Sequence, residues 1–197
     1  MISPAKVGLI LLAAGQSRRF GASNKLTVDL CGTALGLHCV AALTAFDFAH
    51  RVAVVGVDGP DYRAVGFNTV SALPGQFQSQ SLAQGVSALE QTATEACLVV
   101  LADMPFITRD HIAALLSAYE GHALASQAAH YRGPPVLFPR AAFDQLTAIR
   151  GDQGARRLMA TARTISTDEA QVRDIDTPED LAHAQASLRV MLLSQTP

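Results

Sequence analysis

Short apolar runs alternate with longer stretches of helical period along this chain, the pattern produced by repeated β-α-β units around a parallel sheet. The run Val7–Ala13 is apolar at nearly every position, as a strand covered on both faces must be, and it leads into a glycine-containing loop from Gly15 to Lys25. The spacing predicts a helix over 33–48, with Thr33 as N-cap and Leu35, Cys39, Val40, Leu43 and Phe46 on one buried face. Residues 51–57 read as a second buried strand. After a Gly-Pro turn within 58–66, residues 67–72 read as a third. Ser79 or Ser81 is the expected cap of a helix reaching Leu89. Residues 97–102 form the most strongly apolar strand candidate, ending at Asp103-Met104-Pro105, and Thr108 is the expected N-cap of a helix through about Tyr119.

The second half is less regular. Residues 123–128 and 136–138 read as strands separated by an Arg132-Gly133-Pro134-Pro135 turn, while 140–148 and 153–160 look helical. Residues 164–175 hold a short strand or two, and Pro178 at a first helical position opens a final helix toward Met191. With no repeat, low-complexity segment or linker, the expectation is one domain over 1–197 with a β-α-β front half and a mixed back half.

Composition narrows the class. Lys and Arg number 15 against 17 Asp and Glu, a net charge of −2 that gives no general drive toward nucleic acid or an anionic membrane. Hydrophobic residues make up 49% and charged ones 16%, below the roughly 25% usual for soluble domains, which excludes dominant disorder. Apolar runs fall short of the roughly 18 residues that a membrane span requires, and the N-terminus lacks the pattern of a signal peptide. A soluble cytoplasmic protein is the expectation. Cys31, Cys39 and Cys97 are odd in number and lack a C-x-x-C pair, so they read as small buried residues rather than a disulfide or zinc framework. His38, His50, His111, His122, His130 and His183 are scattered without metal spacing and read as surface or helix-face residues.

In open parallel sheets, ligands bind beyond the carboxyl ends of the strands, so polar residues just after apolar runs are the candidates for chemistry. The first place is Leu12-Ala13-Ala14-Gly15-Gln16-Ser17-Arg18-Arg19-Phe20-Gly21, followed by Lys25. Small residues at Ala13, Ala14 and Gly15 let backbone N–H groups approach a ligand, and Arg19 and Lys25 add cationic donors, a combination suited to a polyphosphate. Neither G-x-x-x-x-G-K-[ST] nor G-x-G-x-x-G is present, and a solvated basic turn is the bland alternative. The second place is Asp103 at a strand end, a hard oxygen ligand suited to Mg²⁺ on nucleotide phosphates, or else a cap for the following turn. The third is Asp174-Ile175-Asp176-Thr177-Pro178-Glu179-Asp180, which also reads as an acidic helix N-terminus favoured by the dipole.

Together these segments carry a resemblance. The run Leu12 to Gly21 with Lys25 resembles the L-A-A-G-x-S-x-R-M-G…K element of small nucleotidyltransferases, and Leu101-Ala102-Asp103-Met104-Pro105 resembles their metal-binding D-x-P element. Arg132-Gly133-Pro134-Pro135-Val136-Leu137-Phe138, Gly151-Asp152-Gln153-Gly154-Ala155-Arg156 and the segment from Asp174 to Leu181 make it similar to molybdenum cofactor cytidylyltransferases and the related xanthine dehydrogenase accessory proteins. The resemblance spans nearly the whole chain. It implies a Rossmann-like α/β nucleotidyltransferase fold with a mostly parallel central sheet flanked by helices. It further implies that Leu12, Ala13, Ala14 and Gly15 cradle the nucleotide, with Arg19 beside the β and γ phosphates, Lys25 at the α phosphate and Ser81 near base and ribose. Asp103 and Asp176 match the positions that hold Mg²⁺. Phe20 replaces the usual Met, and Pro134 stands where relatives often carry His or Asn before Pro.

The implied reaction is transfer of CMP from CTP to the terminal phosphate of a molybdopterin-type cofactor, with release of pyrophosphate. Relatives that use GTP usually carry L-A-G-G where this chain has Leu12-Ala13-Ala14-Gly15, and the methyl of Ala14 would crowd a purine. The implied partners are CTP, the cofactor and an apo-molybdoenzyme of the xanthine dehydrogenase class. The alternatives are a guanylyltransferase on the same cofactor, a nucleotidyltransferase with another phosphorylated acceptor, and a non-catalytic cofactor carrier. The pterin is expected near Gly133 to Val136 and Gly151 to Arg156.

Overall fold

The computed structural model describes residues 1–15, 18–20, 24–149 and 159–194. Val7–Ala13 (β1) is buried along its whole length in the middle of a seven-stranded sheet. His50–Val55 (β4) and Ala96–Leu101 (β6) flank it, both parallel, and Asn68–Ser71 (β5) continues parallel beyond β4. Arg132–Pro139 (β8) pairs antiparallel with β6 and with Leu124–Gln127 (β7), and Arg163–Ser166 (β9) lies parallel to β7 at the far edge. The order is therefore β5-β4-β1-β6-β8-β7-β9, with β8 the one reversed strand. This is the expected α/β class.

The two-residue period of β1 divides the core. Val7, Leu9, Leu11 and Ala13 face one layer with Val40 and Leu43 of Val40–Thr44 (α1) and Ile112 and Leu115 of Arg109–Ala118 (α3). Ile10 and Leu12 face the other, against Leu82 and Val86 of Gln78–Ser87 (α2) and Phe143 and Leu146 of Phe143–Ala148 (α4). Burying one such aliphatic side chain stabilises by about 1.5–3 kcal/mol, so this alternation fixes the register of the sheet. Gly85 lets α2 lie close to the sheet, since a Cβ there would stand 2.6 Å from Ile10 Cγ2. Pro178–Ser194 (α5) packs over a smaller cluster of Leu30, Leu35, Ile175 and Ala184. Thr108 caps α3 as expected, its hydroxyl accepting from the His111 amide at 3.2 Å.

Several expectations are corrected. No helix spans 33–48: Asp29–Leu30 (β2) and Thr33–Ala34 (β3) form a small antiparallel hairpin. Its two-residue turn, Cys31-Gly32, has φ of 54° and 90°, the doubly left-handed geometry of a tight hairpin. Thr33 is thus a strand residue and not an N-cap. A 3-10 turn over Leu35–Leu37 follows, and α1 is a single short helix. The apolar spacing was real, because Leu35, Cys39, Val40 and Leu43 are all buried, but the hairpin turned at Cys31-Gly32 and the 3-10 turn over Leu35–Leu37 take up the first part of the span. Ser79 and Ser81 lie inside α2, not at its cap. Arg132 to Pro135 is strand rather than turn. Ser126 pairs with Gly133 and Ala125 with Val136, so Pro134 and Pro135 fall in a bulge where no ladder N–H is needed. Residues 164–175 hold β9 and a 3-10 turn over Glu169–Val172. His111 lies on α3, within its reading as a surface or helix-face residue, and the face it occupies is buried. Most of the helix expected over 153–160, the segment Gly151 to Arg156, and Gln16, Ser17 and Gly21 to Ser23 lie outside the described residues.

Candidate active site

Three loops meet beyond the carboxyl ends of β1 and β6. Asn24 opens a 3-10 turn over Lys25–Thr27, its carboxamide oxygen accepting from the Leu26 amide at 3.0 Å while its Nδ2 donates to the Val57 carbonyl at 3.1 Å. That double tie places Lys25, which is 5% exposed, with its ammonium group pointed between two acids. Lys25 Nζ lies 2.8 Å from Asp103 Oδ2, 2.6 Å from Asp176 Oδ1 and 2.9 Å from the Ile175 carbonyl. Asp103 lies two residues past the end of β6, and its own carbonyl accepts from the Ile175 amide at 3.0 Å, so the loop before α5 is stitched to the end of the central strand. Arg19 approaches from the solvent side, 3.5 Å from the other oxygen of Asp176.

Beside this cluster is a cavity of about 370 Å³. The sheet side contributes Leu12, Ala14, Gly15 and Leu101, the acid–base cluster contributes Lys25 and Asp103, and the loop opening α2 contributes Gly75 to Gln78 and Ser81. A Cβ added at Gly15 would meet nothing within 4 Å, so protein packing does not require a glycine there. Its bareness suits a ligand that approaches the main chain closely.

The electrostatics are lopsided. Burial alone would depress the Lys25 ammonium, but the charges of Asp103 and Asp176 and their hydrogen bonds outweigh it and leave its pKa above the ordinary lysine value. Two carboxylates still face one buried ammonium. Their field reaches Asp174, whose carboxyl is raised by partial desolvation and then by Asp103 and Asp176. Asp103 Oδ1 is buried and has no hydrogen-bond partner. The orphaned carboxylate oxygen of Asp103, with Asp176 beside it on the same ammonium group, could hold a hard divalent cation. Among the described residues no group of three or more His, Cys, Asp or Glu forms a metal cluster, so two aspartates are the available set. The buried thiols of Cys39 and Cys97 are pushed up to about 12 by desolvation, which leaves them unsuited to act as nucleophiles at neutral pH.

Of the residues singled out by sequence, Leu12, Ala14, Gly15, Lys25, Ser81 and Asp103 line one cavity, and Asp176 and Arg19 join it through the ion pairs. Ala13 does not reach it; its side chain is core, and its carbonyl accepts from the Gly56 amide at 3.2 Å. Two of the three bland readings are answered by geometry. Asp103 turns its carboxylate to Lys25 rather than to the following turn, and the acid that caps α5 is Asp180, which accepts from the Thr177 amide at 2.8 Å and from its hydroxyl at 2.7 Å. Asp176 is thereby left for Lys25 and Arg19. Sequence reasoning missed Asn24, Gln76 and Phe77. Gln76 donates to Ser81 Oγ at 2.8 Å and to Gln84 Oε1 at 2.9 Å, which orients the hydroxyl of Ser81 within the cavity wall. The readable signal for that loop was Gly75, whose φ of +79° marks a turn just before α2.

Comparison with known proteins is consistent with this geometry. Residues 9–169 match the family described as MobA-like NTP transferase domain. The purine catabolism protein PucB of Bacillus subtilis is 31% identical over 91% of this chain and 96% of its own length. A molybdenum cofactor guanylyltransferase of Rhodobacter capsulatus is 28% identical over 93% of this chain and 97% of its own. The crystal structure of an Rv0371c homologue from Mycobacterium sp. strain JC1 superposes with a TM-score of 0.79 at 26% identity, covering 95% of this chain and 98% of that one.

Proposed function

This chain belongs to the MobA-like NTP transferase domain family, and on that premise we propose that it transfers CMP from CTP to the terminal phosphate of a molybdopterin-type cofactor. An acceptor phosphate oxygen attacks the α phosphorus, the bond to the bridging oxygen breaks, and pyrophosphate leaves with the electron pair. The observation that carries this reading is the convergence of Asp103 and Asp176 on the Lys25 ammonium group at the edge of the cavity.

Both reactants are polyanions. Each like-charge pair at 4 Å costs about 1 kcal/mol in water and severalfold more in a partly dry cleft, so the site must supply cations. Lys25 would meet the α phosphate from within the wall, and Arg19, on the solvent side, would steady the outer phosphates. Asp103 and Asp176 would hold Mg²⁺, which supplies charge neutralisation to the triphosphate when bound. The acceptor phosphate is already an anion at neutral pH and needs no strong general base; catalysis rests on positioning and charge. Ser81, oriented by Gln76, offers hydrogen bonds at an uncharged stretch of the wall suited to base and ribose.

Ala14 supports cytidine over guanosine, because its methyl lines the cavity where a larger ring would need room. A guanylyltransferase on the same cofactor is the second reading, favoured by the relative from Rhodobacter capsulatus that carries that name. The name of the Bacillus subtilis relative, a purine catabolism protein, fits a recipient apoenzyme of the xanthine dehydrogenase class. The test is pyrophosphate release by purified protein with Mg²⁺ and the cofactor, run on CTP, GTP, ATP and UTP. CTP is expected to react fastest. A preference for GTP assigns the second reading, and cofactor binding without pyrophosphate release from any nucleotide leaves a carrier instead of an enzyme.

A further inference from the structure

Phe77 breaks two local rules at once. It occupies the N-cap of α2, where Ser, Thr, Asn or Asp normally accepts a hydrogen bond from the first turn, and a phenyl ring offers no oxygen to do so. Half of a capping box is nevertheless built. Gln80 reaches back, and its side-chain oxygen accepts from the Phe77 amide at 2.8 Å. The partner that would complete the box is missing. Phe77 is also 54% exposed, although an aromatic ring of this size gains most when buried.

The ring is exposed in a specific place, as part of the cavity wall with Gln76 and Ser81. Its backbone is held firmly, since the Phe77 carbonyl accepts from the Gln80 amide at 3.0 Å and the Ser81 amide at 3.3 Å. The preceding loop is pinned by the Leu73 amide donating to Gln76 Oε1 at 3.0 Å. A rigidly mounted, half-bare aromatic in a cavity wall is a poor solution for folding and a good one for recognition, since departures from local rules concentrate at functional sites. The wall bearing Gln76, Phe77 and Ser81 carries no charge, whereas Lys25 and Asp103 supply the charged part of the lining. A nucleotide therefore orients with phosphates toward Lys25 and its ring toward Phe77.

The geometry points to Phe77 as a platform on which the base of the bound nucleotide stacks. This rests on the nucleotidyltransferase reading above and names the residue that holds the ring. Stacking of this kind corresponds to about tenfold or more in affinity.

Two variants test it. The chain contains no tryptophan, so Phe77→Trp installs a single indole emitter in the cavity wall. CTP should quench it, and inorganic tripolyphosphate, which carries the charges without the ring, should not. Phe77→Ser supplies the missing capping oxygen opposite Gln80, so its melting temperature should rise while its calorimetric Kd for CTP weakens by about tenfold and its Kd for tripolyphosphate stays unchanged. Opposite signs for stability and affinity are what a purely structural Phe77 does not give. Equal quenching by CTP and tripolyphosphate, an unchanged Kd in F77S, or a fall in melting temperature in F77S would each overturn the platform while leaving the transferase reading intact. Quenching of F77W by the molybdopterin-type cofactor alone, with none by CTP, overturns the assignment to the base. Failure of the wild-type protein to bind either CTP or GTP overturns both.

Discussion

Two clusters of buried polar side chains in this molecule are built on opposite plans. Around His111, every group is neutral and satisfied: Ser126, fully buried, donates to the Pro135 carbonyl at 2.7 Å and accepts from His111 Nε2 at the same distance. Desolvation lowers the His111 pKa and favours the uncharged ring. That closed network ties α3 to the bulge of β8 and leaves nothing for a ligand to complete. Around Lys25, one ammonium faces two carboxylates, one carboxylate oxygen has no partner, and a cavity adjoins. The first plan is what packing selects. The second is incomplete in the sense that a cation and a phosphate would complete it, and the comparison teaches that buried polarity marks a site where the accounting of partners and charge does not close.

The sharpest way to break this contrast is to alter one member of each cluster without changing its size. Asp103→Asn should lower turnover by about a hundredfold or more while the protein still folds, because it removes a negative ligand and little volume. Ser126→Ala should do the reverse, holding kcat within a few-fold while costing about 1–3 kcal/mol of stability, since it strands a buried imidazole N–H and a carbonyl. Parallel measurement of kcat and urea denaturation checks both. If D103N and S126A were equally impaired in turnover, the distinction between the clusters would fail.

Next in size is the effect of removing the cation. Lys25→Met should destabilise by up to about 3 kcal/mol, because it strips the partner from the largely buried Asp103, while Asp176, half-exposed and still paired with Arg19, contributes less. Adding Asp103→Asn to that variant should restore part of the loss, with a coupling of about 1–3 kcal/mol in a double-mutant cycle. Additive losses would show that the three side chains do not act as one electrostatic unit.

How far the sequence discloses these clusters depends on where their information lies. β1 and β6 are legible because a strand buried on both faces has a nearly uninterrupted apolar run, and Asp103 is legible because it ends one. Lys25 and Asp176 are suggestive singly, and the family pattern pairs them. Their shared contact depends on the Asn24 cap and on the hydrogen bond from Ile175 to Asp103, which no local periodicity encodes. The helix expected over 33–48 failed for a related reason. Its apolar spacing describes burial correctly, but the left-handed turn at Cys31-Gly32 dictates the path of the chain. The turn expected at Arg132 to Pro135 failed because proline was read as a strand breaker when a bulge accommodates it. His111 was illegible, since a histidine on a helix face looks the same whether its partner is water or a serine from a neighbouring strand.

The smallest effect is on the pH dependence of stability, and the two clusters should give opposite signs. The folded pKa of Lys25 is raised, so its contribution is complete below the ordinary value of 10.5 and is lost as pH climbs through the higher folded value. The folded pKa of His111 is lowered, so its contribution is complete above 6.5 and is lost as pH falls from there toward the folded value. The melting temperature of the wild-type protein should therefore decline at both ends. In His111→Gln, whose amide can still donate to Ser126 but does not titrate, the decline between pH 6.5 and about 5 should be shallower than in the wild type, with the alkaline limb unchanged. In Lys25→Met the alkaline limb above pH 10.5 should be shallower. Melting curves from pH 5 to 11 on the three proteins separate the limbs, and an acid limb that persists unaltered in His111→Gln would assign that proton to another group and remove the argument for a neutral, closed network.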